Sequence, residues 1–204
     1  MGTINVTVVE DAGVCAIATA RVAAVDVVLQ GWINVRRVSM AMPDGALVER
    51  HVEDHGPGVA VLPYDSERRT ALLISQPRAP VILGGEAFVL EAIAGRLDGA
   101  DPVTRIRAEA IEEAGVDLGS LEHVVRLWTM PSISTERLDL FLAPYTMASR
   151  TSQGGGCNDE HENITVHELS LARLAQDADL GRLSDGKTLI LVQALRLRKP
   201  ALFA

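Results

Sequence analysis

Three glutamates, Glu109, Glu112 and Glu113, have the spacing in this chain that most clearly allows chemistry. On a helix, at about 100° per residue, Glu112 and Glu113 lie within about 60° of Glu109, one on either side of it. Like charges at this spacing repel by roughly a few tenths of a kcal/mol per pair. The chain already carries a formal net charge of −8. Either water solvates this acidic face, or something positive offsets the repulsion.

A bound cation would remove this conflict. Clustered carboxylates, together with a backbone carbonyl, are the ligands that hard divalent cations such as Mg²⁺ or Mn²⁺ prefer. Two such ions can hold a pyrophosphate group and activate a water molecule for its displacement. Glutamate-rich helices with a solvated face are nevertheless common, so the spacing by itself leaves both interpretations open.

The elements around the glutamates predict a helix that holds them firmly. Asp101 is suited to cap a helix that Pro102 opens, and Gly115 is suited to end it. The preceding loop, GRLDGADP, is rich in glycine and can bring backbone carbonyls close to the helix. The predicted apolar stripe of this helix consists of Val103, Ile106, Ala110 and Ala114.

The rest of the chain predicts a mixed α/β sandwich, rather than a doubly wound parallel sheet, because strands mostly surround this one central helix. The N-terminus is ambiguous, with a short strand near residues 4–9, and a hairpin is predicted over residues 32–54. PRAPVILGGE and TSQGGGCNDEHEN are predicted loops, and SLARLAQDADLG and KTLILVQALRLRK are predicted helices. The remaining predicted strands are GVAVLPYD, TALLISQ, FVLEAIAG, HVVRLWTM, LDLFLAPY and ITVHEL.

Composition limits the function classes. The chain has 204 residues, enough for one domain with an appended segment. Its acidic balance argues against nucleic acid as a partner, and no segment is long and apolar enough to span a bilayer. Cys15 and Cys157 offer neither metal-ligand spacing nor a disulfide framework, which indicates a reducing compartment. The N-terminus lacks the features of a signal peptide, so we expect a cytoplasmic protein.

The segment from Gly95 through R-x-E-A-I-E-E-x-G to Gly115 resembles the Nudix box. Four flanking segments resemble those of the branch that hydrolyses ADP-ribose and nucleotide sugars. The segment nearest the C-terminus, at residues 184–195, is similar to GDP-mannose pyrophosphatases. The resemblance covers roughly residues 20–198. The flanking segments are ISQPR at 74–78, MPSISTER at 130–137, EHENITV at 160–166 and SDGKTLILVQAL at 184–195.

The chain departs from the family pattern at four places. The loop between Gly95 and Glu109 is one residue shorter than the commonest form. Ala108 stands where the box usually has an arginine that ties the helix to a loop. The usual loop glutamate is absent, with Ala100 or Asp101 in its place. Pro77 replaces an aromatic residue that would provide a stacking surface. None of these changes removes a principal metal ligand, although Ala108 favours an alternative in which the domain binds ADP-ribose or a nucleotide sugar as a sensor with weak turnover.

The resemblance implies a Nudix fold, an α/β/α sandwich with a mixed β-sheet and an N-terminal β-hairpin segment. It implies a dimerisation segment over residues 1–55 and a hydrolase domain over residues 56–204. The implied activity is metal-dependent hydrolysis, with Mg²⁺ or Mn²⁺, of the pyrophosphate bond of a nucleoside diphosphate sugar. GDP-mannose or ADP-ribose would give a nucleoside monophosphate and a sugar phosphate. The implied assembly is a homodimer in which the N-terminal hairpin lies near the partner's substrate. Neither nucleic acid nor a membrane is an expected partner.

The resemblance also implies roles for individual residues. The late loop would supply the general base and an extra metal ligand, since two carboxylates at alternate positions of an extended segment face the same way. The implied metal ligands are Glu109, Glu113, Glu162 and the carbonyl of Ala94. The implied catalytic residues are Glu160 and Glu112, and the implied substrate-binding residues are Arg78, Glu91 and Glu136.

Overall fold

The computed structural model describes residues 19–157 and 162–204. Contacts between residues divide the chain into two compact units, Met1–His55 and Gly56–Ala204. The strand predicted near residues 4–9 and the predicted base Glu160 lie outside the described residues. Within the described part of the chain, no helix has the length and hydropathy needed to cross a membrane.

The first unit contains a three-stranded antiparallel sheet in the order β1-β2-β3. A turn at residues 42–46 joins β2 to β3, and Gly45 takes the positive φ of +86° that the turn requires. The predicted hairpin over residues 32–54 is therefore confirmed, whereas β1 was not predicted. The strands are β1 (Arg21–Gln30), β2 (Asn34–Ala41) and β3 (Leu47–Asp54).

The second unit is built on a mixed sheet in the order β7-β8-β4-β5-β9, with β6 paired to β4. Strand β4 runs parallel to β8 and antiparallel to β5 and β6. All eight residues of β4 are buried, as expected for a central strand covered on both faces. The strands are β4 (Gly58–Asp65), β5 (Thr70–Ser75), β6 (Ile93–Arg96), β7 (Glu122–Trp128), β8 (Arg137–Pro144) and β9 (Thr165–Ser170).

Helices cover both faces of this sheet. Ile106 and Ala110 of α2 pack with Val59 and Val61 in one core cluster. The opposite cluster joins alternate residues of β4 to helices α3 and α4, because side chains alternate along a strand. The predicted α/β/α sandwich is thus confirmed. The helices are α1 (Ala79–Leu83), α2 (Pro102–Ala114), α3 (Leu171–Asp179) and α4 (Gly186–Arg198).

Three local predictions are wrong. The predicted loop PRAPVILGGE contains the short helix α1. Of the predicted strand FVLEAIAG, only the last part forms β6; before it, Glu91 makes a single bridge with Ile74, because apolar patterning does not distinguish a paired strand from an extended segment. Val103 is 45% exposed, although its angle places it on the apolar stripe of α2. Val103 lies in the first turn of α2, and the burial of that turn depends on which other elements pack against it.

Candidate active site

Helix α2 begins and ends as its sequence predicts. The carboxylate of Asp101 accepts a hydrogen bond from the Thr104 amide at 3.0 Å, and Pro102 occupies the first turn. Gly115 ends the helix in the left-handed conformation, with φ +61°. These signals determine which residues the helix presents to the sheet. Glu109 and Glu113 are buried, with 5% and 2% of their surfaces exposed, whereas Glu112 is only partly buried.

The end of strand β6 lies directly against the two buried carboxylates. The amide of Ala94 donates a hydrogen bond to Glu113 Oε2 at 3.2 Å. A Cβ atom added at Gly95 would overlap Glu109 Oε1, so only glycine permits this close approach. The backbone at residues 94–95 and the glutamates at 109 and 113 therefore form one compact site.

Burial changes the acid–base behaviour of this pair. Loss of solvation, reinforced by the nearby charge of Glu109, raises the pKa of Glu113 to about 8. Loss of solvation also raises the pKa of Glu109 to about 7, although Arg105 opposes this effect. Two ordinary surface glutamates would be fully ionised at neutral pH, whereas the raised pKa values leave this pair partly protonated there.

An arginine on the same helix provides part of that compensation. The guanidinium of Arg105 lies 2.5 Å from Glu109 Oε1, one helical turn away. The sequence analysis did not identify this residue, although an arginine four positions before a glutamate is a recognisable signal. Arg107 donates hydrogen bonds to the carbonyls of Leu118 and Gly119, at 2.5 and 2.8 Å. It thereby ties α2 to the following segment, which the side chain of Ala108 cannot do.

The glycine-rich loop packs on the C-terminal end of α2. The amides of Gly155 and Gly156 donate hydrogen bonds to the carbonyls of Glu113 and Glu112, at 2.9 and 3.1 Å. Next in the chain, the Cys157 thiol donates to Glu112 Oε1, and the Cys157 amide donates to a carboxylate oxygen of Glu162. The structure therefore brings Glu162 to the side of α2 that carries Glu112.

A second charged cluster surrounds Glu91. Arg78 donates two hydrogen bonds to its two carboxylate oxygens, at 2.8 and 3.0 Å, and Lys187 lies 2.8 Å from Oε2. Burial opposes ionisation of Glu91, but these two cations outweigh it and lower its pKa below the usual range. Lys187 also pairs with Asp185 at 3.1 Å. No local sequence signal marks Lys187, since its partner Glu91 lies 96 residues away in the chain.

Glu136, just before β8, is the remaining predicted substrate residue. A Cβ atom added at Gly58 would lie 3.2 Å from the Gly95 carbonyl and 3.7 Å from Glu136 Oε1. Glu136 therefore lies at the same end of the sheet as residues 94–95. The structure thus brings Glu136 close to the end of β6, while Arg78, which is bound to Glu91, lies near enough to Glu113 and Glu162 to interact with both electrostatically.

A hard divalent cation requires several oxygen donors around it. Over residues 19–157 and 162–204, no three His, Cys, Asp or Glu side chains form a group that could hold a metal ion. The buried pair Glu109 and Glu113 nevertheless fits a hard cation, because both groups are oxygen donors and Arg105 compensates them only partly. Further donors would have to come from the Ala94 carbonyl and from the late loop.

The sandwich and the glutamate-bearing helix define a Nudix hydrolase. The fold is similar to the crystal structure of an ADP compounds hydrolase, with a TM-score of 0.74. The similarity covers 92% of this chain and 97% of that chain at 16% sequence identity. No protein-family model matches the chain.

Curated relatives define the family more narrowly. A GDP-mannose pyrophosphatase of Cronobacter sakazakii is 40% identical over 159 residues, which are 76% of this chain and 82% of the relative. GDP-mannose pyrophosphatases of Salmonella arizonae and Klebsiella pneumoniae are 37% and 35% identical, over 73% and 82% of this chain and 78% and 86% of their own. The chain therefore belongs to the GDP-mannose pyrophosphatase family of Nudix hydrolases, and it is an enzyme of that class.

Proposed function

We propose that this enzyme hydrolyses the pyrophosphate bond of a nucleoside diphosphate sugar, giving a nucleoside monophosphate and a sugar phosphate. GDP-mannose is the first candidate substrate, because the relatives carry that name, and ADP-ribose is the second. The observation that carries the proposal is the buried pair of Glu109 and Glu113 against the backbone of residues 94–95. A buried acidic pair of this kind is suited to hold cations that neutralise the charge of a pyrophosphate.

The proposed cofactor is Mg²⁺, with Mn²⁺ as a substitute. Bound there, such a cation would polarise a phosphoryl oxygen and lower the pKa of a water molecule. Glu109 and Glu113 would hold it, with the Ala94 carbonyl and Glu162 as further ligands. The raised pKa values of the glutamate pair support this assignment, because a cation would favour their ionised forms.

The late loop would supply the general base. Glu160 is proposed for this role and lies outside the described residues. Support comes from either side of it: glycines 155 and 156 bind the end of α2, and Glu162 lies beside Cys157. Glu112 is proposed to assist catalysis from the side of α2 on which this loop packs. A general base must come within hydrogen-bond distance of the attacking water, and this loop packs against the end of the helix that carries the glutamates.

The Glu91 cluster would contact the substrate through Arg78. The guanidinium of Arg78 suits a phosphate, because its planar group can make two parallel hydrogen bonds. Glu91 is 5% exposed and binds both Arg78 and Lys187, so we propose that it holds Arg78 in position rather than meeting the substrate directly. Glu136, near the end of β6, is proposed to contact the terminal sugar.

We further propose a cytoplasmic homodimer assembled through residues 1–55. All ten residues of β1 are exposed, and within the part of the chain that the structure describes β1 is an edge strand, with apolar side chains and a row of backbone groups available for pairing. Exposed apolar patches and unpaired strand edges usually meet another surface. The exposed apolar side chains of β1 include Val22, Val25, Val27, Val28 and Leu29.

A substrate panel tests the proposed activity. Purified enzyme is incubated with GDP-mannose, ADP-ribose and other nucleoside diphosphate sugars, with Mg²⁺, with Mn²⁺ or with EDTA. A phosphatase that acts only on the products converts them to measurable phosphate. We expect metal-dependent phosphate release from GDP-mannose or ADP-ribose. Binding of these compounds without any release would instead support the sensor alternative that Ala108 favours.

A further inference from the structure

Cys157 occupies a defined position between helix α2 and the late loop. The preceding glycines are bound to the last turns of α2 through the Glu112 and Glu113 carbonyls. Gly154 approaches this helix so closely that an added Cβ atom would overlap the Glu113 carbonyl oxygen. The backbone therefore delivers Cys157 to the helix in a reproducible position, next to Glu112.

From this position Cys157 connects two carboxylates that belong to different elements. Its thiol donates a hydrogen bond to Glu112 Oε1 on α2. Its backbone amide donates to Glu162 Oε2 on the loop, at 2.9 Å. Each carboxylate uses one oxygen for these bonds and retains a second oxygen with its own lone pairs.

Glu162 is also confined from its other side. A Cβ atom at Gly156, which has φ +76°, would overlap Glu162 Oε2 and would lie 3.2 Å from Glu162 Cβ. The Ile164 amide meanwhile donates to the Gly155 carbonyl at 3.3 Å, which closes the loop on itself. Gly156 and Ile164 thus hold Glu162 in a narrow space beside Cys157.

We propose that Cys157 is a positioning residue for the hydrolysis, which holds the Glu112 and Glu162 carboxylates together on the metal-binding side of helix α2. The inference rests on the proposed function, because it assigns both carboxylates to the same divalent-cation site. Hydrogen bonds that orient a ligating carboxylate typically change metal affinity or activity by about 10- to 100-fold when they are removed. Cys157 acts here as a hydrogen-bond donor through both its thiol and its backbone amide.

The test compares Cys157→Ala, which removes the side-chain donor to Glu112 and keeps the backbone amide, with Cys157→Ser, which retains a side-chain donor. The matched control is Gln153→Ala, an exposed residue of the same loop. Binding of Mn²⁺ is measured without substrate from the electron paramagnetic resonance signal of free Mn²⁺. The Mg²⁺ concentration that gives half-maximal hydrolysis is measured separately, and circular dichroism in EDTA verifies folding.

We expect Cys157→Ala to weaken Mn²⁺ binding roughly tenfold and to raise the half-maximal Mg²⁺ concentration by a similar factor. Cys157→Ser should recover most of this loss, and Gln153→Ala should behave as wild type. Wild-type Mn²⁺ affinity in Cys157→Ala would overturn the proposal. An equal loss in Gln153→Ala would also overturn it, because the effect would then belong to the loop in general.

A second measurement covers the case in which Cys157→Ala does not fold. In folded Cys15→Ser protein, methyl methanethiosulfonate converts the Cys157 thiol to a methyl disulfide and removes its donor hydrogen. The same loss of Mn²⁺ affinity is expected, and an unchanged affinity would contradict the proposal. An enzyme that binds Mn²⁺ but hydrolyses no member of the substrate panel would overturn the proposed function instead, because Mn²⁺ binding is read without substrate.

Discussion

Strand β4 of the second unit and strand β1 of the first are both rich in valine and alanine, yet their environments are opposite. Every residue of β4 is buried, with helices on both faces of its sheet. Every residue of β1 is exposed. Valine and alanine thus contribute to a core in one unit, while in the other they are exposed among the residues that the structure describes.

This difference has chemical consequences for the site. The raised pKa values of Glu109 and Glu113 require burial, and the second unit provides it because its sheet and helix α2 exclude water. The second unit can therefore create the acidic pair from its own residues. Among residues 19–55 the first unit has no buried acidic side chain.

The largest expected effect comes from Glu113→Gln. The substitution retains shape and helix propensity but removes the charge that would face a cation. We expect a loss of kcat of about 10²-fold or more, with folding preserved, since metal-held charge supplies several kcal/mol at the transition state. Steady-state hydrolysis of GDP-mannose at saturating Mg²⁺ measures it, with the exposed Glu67→Gln as the matched control. Near-normal turnover of Glu113→Gln would remove the basis of the metal site.

Gly95→Ala should have the next largest effect. The added Cβ would overlap Glu109 Oε1, so the carboxylate has to move. A displacement of about 1 Å in an active site can reduce the rate by up to about 10²-fold. Gly31→Ala, in the first unit, is the control, because its nearest neighbour would be the Ile33 carbonyl at 3.9 Å. If the two variants retain equal activity, the close approach of Gly95 and Glu109 has no catalytic importance.

A charge on β1 should affect assembly rather than folding of the second unit. Val27 is 62% exposed, and Val27→Asp would place a carboxylate in the proposed dimer interface. Burial of one valine contributes roughly 1.5–3 kcal/mol, so we expect about a 10- to 100-fold weaker dimer. Light scattering over a micromolar concentration series measures this, with Leu197→Asp on α4, 81% exposed, as the control. A wild-type protein that is already monomeric at these concentrations would contradict the proposed homodimer.

The smallest expected effect is a pH dependence of the metal-free protein. In the folded state the pKa values of Glu109 and Glu113 are about 7 and about 8, whereas the usual value is 4.5. The folded state therefore binds more protons than the unfolded state between these values. The stability that the protonated pair contributes is fully present below about pH 4.5 and is lost as the pH rises through 7 and 8.

Urea unfolding in EDTA measures this loss. The free energy of unfolding of the wild type should fall between pH 5.5 and pH 8.5 by more than that of Glu113→Gln, which cannot ionise at that position. Addition of Mg²⁺ at pH 8.5 should restore stability to the wild type and much less to the variant. Identical pH profiles for the two proteins would show that the Glu113 carboxyl is not shifted by its environment.

Much of the fold follows from local sequence signals. Asp101, Pro102 and Gly115 delimit helix α2, because caps and backbone conformations are properties of a few consecutive residues. The hairpin of the first unit and the terminal helices are predictable for the same reason. The motif from Gly95 to Gly115, taken together with the flanking segments, indicates the family, since each combines spacing and residue type over a short stretch of chain.

The sequence by itself therefore determined the helix, its three glutamates and the class of enzyme. Only the tertiary structure decided that Glu91 is bound by Lys187, that Cys157 reaches Glu112, and that Val103 remains exposed. The first two contacts join residues 96 and 45 positions apart, and no local pattern encodes such pairs. Burial likewise depends on which elements pack together. The packing of helix α2 on the sheet removes water from Glu109 and Glu113 and thereby raises their pKa values.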